Sequence, residues 1–503
     1  SDIDKTLKEL KEVLSFDQSV LVEFRKKLKK TKNDFEEVTL VKNLSKEQIA
    51  KFFLSKERWL FTRIEARLNR YVIDGPLFSH IIGYLGRVNS EDLENFTYYR
   101  YQADSWIGKT GIEKNYEDLL RGSLGYKTIE VDVHGNQVRE LKRIVPLKPS
   151  DITLSINRGL QKIARQALKG RRGAIVAIDP NNGLVKALVS SPDFNPNILN
   201  QTEKGDFKEI AKSKDGPFFN RAIAGFYPPA STLKPFIALL GLEEEIIGWN
   251  TVIEDQGFYQ INSQGRRYRG WKEEGHGLVN LKKAIVESSD VFFYDLAVKL
   301  SVDKISNFLR SFGFGKKVGV DIYGESQGLL PNRQWKLGSV GESWFVGDTV
   351  NLGIGQGYIA ITPLQLAVSV SSIAKRGQAF RPRIVEKING EPTSPELLFE
   401  VKLSDFSHWN KLEKSLVSVI EDWNGTAHNV YEEGQISIAG KTGTAQIISL
   451  SEEDLSVKEE YEDVRIDELN RDHALFVGYG PIPEPELTVV VIVENGESGS
   501  AIA

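Results

Sequence analysis

A serine three residues before a lysine, Ser231-Thr-Leu-Lys234, is the first pair in this sequence that could do chemistry. A serine hydroxyl is a poor nucleophile until a neighbouring base takes its proton. On a helix, residues three apart share a face, so we expect Lys234 to reach the Ser231 oxygen at a helix start. The lysine is a base only when burial or a cationic neighbour keeps it neutral. Alone the pair is a weak signal, because Ser301–Lys304 and Ser372–Lys375 repeat it.

Two further short motifs carry suitable groups. Ser288-Ser-Asp290 precedes an apolar helical run and offers a hydroxyl to relay a proton and a carboxylate to orient neighbours. Lys441-Thr-Gly443, followed by Thr444, ends an apolar strand-like run, so a cation and two hydroxyls could hold a carboxylate. Gly443 would let a substrate backbone approach that strand closely. Backbone N–H groups there and at Ser231 could form an oxyanion hole.

The order of the three motifs is more specific than any one of them. Only Ser231 is followed by a Ser-x-Asp and then by a Lys-Thr-Gly on a strand near the end of the chain. A second Lys-Thr-Gly, Lys109–Gly111, lies upstream of every candidate serine, which favours a structural turn. The ordered set is typical of penicillin-binding proteins and serine β-lactamases, with Asp290 where the usual set has Asn.

The surrounding pattern predicts the elements that would position these groups. Apolar strands Ala174–Ile178 and Leu184–Val189 flank a turn sequence and predict a hairpin. Three more strands are predicted at Ile436–Ile448, His473–Tyr479 and Leu487–Glu494. We therefore expect an α+β fold, with a five-stranded antiparallel sheet, flanking helices and a helical subdomain inserted between the hairpin and the last three strands.

The remaining segments extend this outline. Residues 1–35 have apolar side chains at helical spacing and predict an amphipathic helix. Residues 449–470 are acidic and polar, and predict an exposed excursion between two strands. Near residue 150, two prolines and a serine precede a strand-like segment at Ile152–Ile156. This change predicts a domain boundary, with an N-terminal mixed α/β pedestal over 1–150 and the catalytic domain over 151–503.

Composition excludes several classes of protein. The 503 residues carry a net charge of −4, which does not favour a nucleic-acid surface. The absence of cysteine excludes a disulfide scaffold, a zinc ribbon and a cysteine nucleophile. No apolar run approaches the length of about 18 residues that a membrane-spanning helix needs.

Beyond the three motifs, the sequence resembles the class B penicillin-binding proteins, above all the branch that serves cell elongation. The segments that carry the resemblance are Gly173–Pro180, Tyr227–Lys234, Tyr268–Trp271, Gly275–Gly277, Gly347-Asp348, Gly353–Tyr358, Asn424–His428 and Lys441–Gln446, with His80–Asn89 and Ile107–Gly125 in the N-terminal half. The resemblance implies a penicillin-binding, serine β-lactamase-like domain that cross-links peptidoglycan stem peptides ending in D-Ala-D-Ala.

The resemblance also implies a role for each motif residue. Ser231 would form the acyl-enzyme and Lys234 would accept its proton. Ser288 and Lys441 would relay a proton towards the leaving D-alanine, and Asp290 would orient this network. Thr442, Gly443 and Thr444 would bind the donor, the two threonines at its terminal carboxylate. The N–H groups of Ser231 and Thr444 would form the oxyanion hole.

Partners and location follow from the same resemblance. It implies inhibition by β-lactams, no cofactor, and a pedestal that binds a glycan polymerase of the shape, elongation, division and sporulation type and an elongation scaffold protein. It also implies a periplasmic domain of an inner-membrane protein, with a single N-terminal anchor outside these 503 residues.

Some relatives of this type hold zinc beside the active site. Here Asp255 and His276 match two of the ligands, but Gly270 and Ser289 stand at the other two expected positions. Two ligands do not make a closed zinc site. We therefore expect no metal, and a buried, hydrogen-bonding role for His276.

Rival functions fit less well. A class A β-lactamase needs a Glu-x-x-Leu-Asn loop between its second and third motifs, whereas Glu65–Asn69 lies upstream of all of them. Gly324–Gly328 has the Gly-x-Ser-x-Gly pattern of an α/β-hydrolase without the strand and helix it needs. Gly108–Thr110 and Gly440–Thr442 lack the first glycine of a P-loop. A D,D-carboxypeptidase and a β-lactam-hydrolysing or β-lactam-sensing protein of the same fold stay open as alternatives.

Overall fold

The structure is a computed structural model that describes residues 2–29, 38–59, 62–66, 69–89, 92, 105–123, 125–132, 137–200, 207–446 and 471–503. The chain divides into two compact units, residues 1–71 with 200–204 and residues 72–199 with 205–503. The predicted excursion 449–470 lies outside the described residues. Within the described ranges, none of the helices combines the length and the hydropathy of a membrane-spanning segment.

The first unit is a small helical cluster. It contains α1 Asp2–Leu14, α2 Gln18–Leu28 and α3 Lys46–Leu54. Their apolar sides enclose a core of Leu7, Leu10, Leu14, Phe16, Leu21, Phe52 and Trp59. The amphipathic helix predicted over 1–35 is present but interrupted at Ser15–Asp17, where the Asp17 carboxylate accepts a hydrogen bond from the Ser19 N–H and caps α2. Residues 30–35 of that prediction lie outside the described residues.

Short helices and strands follow in the pedestal region, as predicted for a mixed α/β segment. They are α4 Gly75–Ile82, β1 Leu85–Arg87, β2 Trp106–Gly108, α5 Gly111–Asn115, α6 Glu117–Arg121, β3 Tyr126–Val131 and β4 Gln137–Ile144. Strand β1 pairs with β2, and β3 pairs with β4, both antiparallel.

The five-stranded antiparallel sheet predicted from the sequence is present. Its order is β16-β17-β18-β6-β7, formed by β6 Gly173–Ile178, β7 Val185–Ser191, β16 Ala439–Ala445, β17 His473–Gly480 and β18 Leu487–Val493. Ile175 and Ala177 pack on one face, with the helix α7 Arg158–Ala167, while Val176 and Ile178 join the main core on the other. Because helices cover both faces, β6 reads as a continuous apolar run rather than as an alternating one.

The long segment between β7 and β16 holds most of the helices. They are α8 Pro196–Leu199, α9 Phe207–Lys212, α10 Arg221–Ala224, α11 Lys234–Glu243, α12 Leu281–Val286, α13 Asp290–Leu300, α14 Val302–Ser311, α15 Arg333–Ser339, α16 Val346–Gly353, α17 Pro363–Ala374 and α18 Ser407–Glu421. All residues of α11 except the last are buried, so it is a core helix with no solvent face.

Small strands also interrupt this helical region, which the sequence reading did not predict. They are β8 Val252–Asp255, β9 Phe258–Gln260, β10 Arg267–Arg269, β11 Gly277–Asn280, β12 Gln378–Phe380, β13 Val385–Ile388, β14 Glu391–Pro392 and β15 Leu397–Glu400, while β5 Ile152–Leu154 pairs with β13. Gly324–Gly328 lies in irregular chain rather than between a strand and a helix, so the hydrolase alternative fails on its geometry.

Candidate active site

Ser231 lies on a tight turn that leads directly into α11. Residues Ala230–Leu233 form a 3-10 turn, and the α-helix begins at Lys234. A hydrogen bond from the Ala230 N–H to the Gly355 carbonyl, at 2.9 Å, ties the turn to a neighbouring loop. Thr232 and Lys234 are buried, whereas Ser231 is only partly buried. Ser231 is therefore the partly exposed residue at the start of a buried helix.

Lys234 is fully buried and faces the Ser288–Asp290 loop. Its Nζ donates to the Ser288 carbonyl at 2.7 Å, to Ser288 Oγ at 3.1 Å and to Asp290 Oδ1 at 2.7 Å. None of these three bonds goes to Ser231, so the predicted direct contact between Lys234 and Ser231 is not made in this state. Burial lowers the pKa of Lys234, whereas the nearby Asp290 carboxylate raises it. The effect of burial is the larger, so the pKa is lower than that of an ordinary lysine.

Ser288 is the meeting point of the two lysines. It sits between α12 and α13, at the helix junction predicted from the sequence, with φ of +58°. Its Oγ accepts from Lys234 Nζ at 3.1 Å and from Lys441 Nζ at 2.9 Å. A hydroxyl has two acceptor lone pairs and one proton to donate. Because both lone pairs accept hydrogen bonds, the Ser288 hydroxyl still has its own proton available for transfer to another group.

Lys441 is the second buried cation of the site. Its Nζ also donates to the Thr442 carbonyl at 3.2 Å. Burial lowers its pKa well below the ordinary range, and the charge of Lys234 lowers it further. Asp290 raises the pKa of both lysines, but burial and the charge of Lys234 act against it at Lys441, so keeping both lysines charged is unfavourable. A neutral amine in this cluster is a base that can take a proton at moderate pH.

Asp290 and Trp271 hold the loop in place. Asp290 Oδ2 accepts from the Trp271 N–H at 2.9 Å, and the Trp271 indole N–H donates to the Ser288 carbonyl at 3.1 Å. Trp271 thus touches both sides of the loop that carries Ser288. Sequence reasoning gave it no role, because its only signal was membership of the Tyr268–Trp271 segment.

Strand β16 carries Lys441 to Thr444 past the nucleophile turn. A Cβ on Gly443 would lie 3.0 Å from Thr232 Cγ2 and 3.3 Å from the Pro229 carbonyl oxygen, so glycine permits the close approach of strand and turn. The structure therefore brings Ser231, Lys234, Ser288, Asp290 and Lys441–Thr444 into one site, as the order of the motifs predicted.

The two threonines of β16 differ in their surroundings. Thr442 is buried, and its hydroxyl donates to Thr426 Oγ1 at 2.8 Å. Thr444 is exposed, and its hydroxyl accepts from the Gly499 N–H at 3.4 Å. Thr426 was not singled out from the sequence, although it lies in the Asn424–His428 segment. In this state Thr444 is the more accessible of the two hydroxyls.

The backbone of Thr444 faces the open edge of the sheet. Strand β16 is an edge strand, paired only with β17 within the five-stranded sheet. The Thr444 carbonyl accepts from the Gln356 side-chain amide at 3.1 Å rather than from β17. In an antiparallel ladder, the N–H and C=O of one residue point to the same side. The Thr444 N–H therefore also points outward, where an oxyanion donor is needed.

A second buried cluster lies directly behind Ser288 and Asp290. Asp255 Oδ2 lies 2.6 Å from both His276 Nδ1 and Ser289 Oγ, and Asp255 Oδ1 accepts from the Gly257 N–H at 2.9 Å. Although burial opposes it, these hydrogen bonds hold the pKa of Asp255 below its usual value. His276 is buried and hydrogen-bonded, as predicted.

The donor set of this cluster does not fit a zinc ion. Asp255 and His276 supply two ligand types, but Gly270 has no side chain to offer and the Ser289 hydroxyl donates to Asp255. Across the described part of the chain, no group of three or more His, Cys, Asp or Glu side chains is placed to hold a metal. Two ligands do not close a structural zinc site.

Comparison with known proteins places this geometry in a family. Residues 173–503 match the family model of the penicillin binding protein transpeptidase domain, and residues 1–154 match that of the penicillin-binding protein dimerisation domain. The peptidoglycan D,D-transpeptidase MrdA of Acinetobacter baumannii is 39% identical over 508 residues, spanning 100% of this chain and 74% of the relative.

Two solved structures share the fold. Pseudomonas aeruginosa PBP2 in complex with WCK 5153 is 39% identical with a TM-score of 0.75, covering 87% of this chain and 88% of that one. Helicobacter pylori PBP2 in complex with MreC is 29% identical with a TM-score of 0.82, covering 99% and 89%. On the family model and the full-length identity to MrdA, this chain belongs to the penicillin-binding protein transpeptidases.

Proposed function

We propose that this chain is a peptidoglycan D,D-transpeptidase of the penicillin-binding protein 2 type, which cross-links stem peptides ending in D-Ala-D-Ala during cell elongation. The observation that carries the proposal is the Ser288 hydroxyl held between two buried lysines, Lys234 and Lys441, beside the partly exposed Ser231. The names of the relatives, peptidoglycan D,D-transpeptidase MrdA and PBP2, support the same reaction.

In the acylation step, Ser231 Oγ attacks the carbonyl carbon of the penultimate D-alanine. The Ser231 proton passes to Lys234 as the base, and the bond to the terminal D-alanine nitrogen breaks. A proton delivered through Ser288 and Lys441 converts that nitrogen to the leaving amine. The product is a Ser231 ester. Lys234 must turn from Ser288 towards Ser231 for this step, and catalytic hydrogen bonds often tighten only when substrate is bound.

In the transfer step, the amine of a second stem peptide attacks the Ser231 ester. A new amide bond forms, the ester bond breaks, and the amine proton returns to the serine through the same lysines. Water in place of the amine would give a carboxypeptidase product from the same acyl-enzyme. The oxyanion of each step would lie against the N–H groups of Ser231 and Thr444, since preorganised donors stabilise charge that develops there.

The donor's terminal carboxylate is assigned to the Lys441–Thr444 strand. Thr444 is an exposed residue whose hydroxyl accepts from the Gly499 N–H and keeps its own proton to donate, so it is the first candidate for this contact. Thr442 Oγ1 is occupied by Thr426 in the present state, so it would have to exchange that partner to bind the carboxylate directly. Gly443 contributes by letting β16 lie close to the turn that carries Ser231, since a Cβ there would meet Thr232 Cγ2 at 3.0 Å.

We propose that residues 1–150 form a partner-binding pedestal and residues 151–503 the transpeptidase domain, which acts at the periplasmic face of the inner membrane. The match of 1–154 to a penicillin-binding protein dimerisation domain supports the first assignment. A PBP2 relative forms a complex with MreC. An MreC-type scaffold, a glycan polymerase of the elongation machinery and β-lactam inhibitors are the partners we propose for this chain.

Intact-mass spectrometry tests the proposal. We expect benzylpenicillin to form a one-to-one adduct that maps to Ser231, persists for hours and is absent from Ser231→Ala. Rapid loss of the adduct with hydrolysis of the drug would assign a β-lactamase instead. A donor peptide ending in D-Ala-D-Ala, offered with a D-amino acid acceptor, should give the exchanged peptide as the main product. Release of D-alanine without exchange would assign a carboxypeptidase.

A further inference from the structure

One side chain crosses from the nucleophile side of the site to the edge strand. Gln356 Nε2 donates to the Thr444 carbonyl at 3.1 Å, and this is its single side-chain hydrogen bond within the described residues. The acceptor belongs to the outward-facing edge of β16, which pairs with no strand on that side among the residues that the structure describes. Gln356 is partly exposed, so its amide group can leave this position without unpacking the core.

The backbone that carries Gln356 is held firmly against the nucleophile turn. Gly355, with φ of +71°, accepts from the Ala230 N–H at 2.9 Å, one residue before Ser231. A Cβ on Gly355 would lie 2.3 Å from the Ala230 carbonyl oxygen, so loop and turn are in direct backbone contact. The Gln356 N–H donates to the Asn351 carbonyl at 3.0 Å. The backbone on both sides is thus hydrogen-bonded in place, whereas the Gln356 side chain is partly exposed and makes one hydrogen bond among the described residues.

We propose that Gln356 is a specificity-determining residue, whose side-chain amide occupies the Thr444 carbonyl until the amide N–H of the acyl donor replaces it. This inference rests on the proposed function. A donor that lies along β16 and puts its reacting carbonyl at the Thr444 N–H brings its own N–H towards the Thr444 carbonyl, as an antiparallel residue pair does. Gln356 therefore imitates the donor's N–H in the empty site.

The proposal gives a directional consequence for different donors. A donor with this N–H forms its hydrogen bond to the Thr444 carbonyl only by breaking the bond from Gln356. The number of hydrogen bonds at this carbonyl therefore does not increase when such a donor binds. A donor without the N–H leaves Gln356 in place and neither gains nor loses that bond. Removing the Gln356 amide should therefore favour amide donors selectively. A net hydrogen bond corresponds to an effect of roughly two- to tenfold.

The test compares two thioester donors that differ in one group. The first is N-benzoyl-D-alanyl-thioglycolate, and the second is its isostere with an ester oxygen in place of the amide N–H. The second-order acylation rate is measured for the full chain, for Gln356→Ala, and for Gln356→Met, which keeps a similar length but has neither a charge nor an N–H to donate. We expect both variants to react about two- to tenfold faster with the amide donor, with the rate for the ester donor unchanged.

Every other outcome decides against the inference. Equal changes for the two donors would assign Gln356 a steric or structural role, and no change for either would mean that the Thr444 carbonyl accepts both groups at once. A slower reaction of the amide donor in Gln356→Ala would make Gln356 a donor-binding residue instead. If the unaltered chain reacts with neither donor, the proposed function itself fails, which separates that result from a failure of the Gln356 assignment.

Discussion

Lys441 Nζ donates to Ser288 Oγ at 2.9 Å, although the two residues are 153 positions apart. Lys441 is on the edge strand β16, and Ser288 is between two helices of the inserted helical region. Lys234 reaches the same oxygen from α11. The proton path of the proposed reaction is thus assembled from three separate elements, and a change in any one should alter how protons move in the other two.

The pH dependence of acylation is the first prediction. Burial lowers the pKa of Lys234, while Asp290 raises it. Since the base must be neutral, the rate of acylation by benzylpenicillin should rise with pH through a midpoint below 10.5, the ordinary lysine value. Asp290→Asn removes the carboxylate that favours the charged lysine, so its midpoint should lie at lower pH, with a reduced maximum rate. A midpoint that stays in place or moves upward would refute Asp290 as a group that raises this pKa against the effect of burial.

Replacing the second buried lysine should separate stability from activity. The folded pKa of Lys441 is depressed, so the unfolded chain binds more protons between that pKa and 10.5, and folding is weakened as pH falls through this window. Lys441→Met removes this cost, because methionine has a similar length and no charge to desolvate.

The measurement is urea unfolding together with acylation at pH 7 and pH 10. Lys441→Met should lose most of its acylation and be at least as stable as the unaltered chain at pH 7. Its advantage should shrink at pH 10, where the native lysine no longer resists burial. Lys304→Met, at an exposed ion pair, serves as the control and should change neither property appreciably. Strong destabilisation of Lys441→Met at pH 7 would contradict a neutral Lys441.

These relationships also mark the limit of what the sequence could predict. The hairpin β6–β7 could be predicted because apolar periodicity is visible in a short stretch of sequence. The motifs at Ser231, Ser288 and Lys441 could be predicted because their order along the chain can be read directly. The break at Asp17 also had a local signal, the capping aspartate, which the apolar spacing of residues 1–35 obscured. Thr426 with Thr442 and Gln356 with Thr444 had none, because each bond joins two loops or strands whose pairing only the tertiary fold determines.

The buried cluster behind the site gives the third prediction. Ser289 Oγ donates to Asp255 Oδ2 at 2.6 Å and also accepts from the Phe292 N–H at 3.3 Å, so it both anchors the loop and caps α13. Ser289→Ala removes both bonds and should cost about 1–3 kcal/mol of unfolding free energy. Because Ser288 and Asp290 flank it, acylation should also slow.

Ser289→Thr, which keeps the hydroxyl, should recover acylation better than Ser289→Ala at comparable stability. The comparison is made from thermal midpoints and from the pH profile of benzylpenicillin acylation. If Ser289→Ala shifts the midpoint temperature but leaves the acylation profile untouched, the cluster supports the fold without positioning Ser288 and Asp290.

The contact between Gly355 and the nucleophile turn supplies the last prediction. Gly355 and Gly357 have similar left-handed backbones, with φ of +71° and +82°, so alanine at either position should cost roughly 1–2 kcal/mol for the backbone alone. Their surroundings differ: a Cβ at Gly355 would lie 2.3 Å from the Ala230 carbonyl oxygen, whereas at Gly357 the nearest atom, Asn351 Cβ, is 3.4 Å away. Gly355→Ala must therefore push the loop off the turn that carries Ser231.

We expect the acylation rate of Gly355→Ala to be at least tenfold lower than that of Gly357→Ala. The two variants are compared at a temperature where circular dichroism shows that both are folded. Equal acylation by the two variants would show that the position of Ser231 does not depend on this backbone contact.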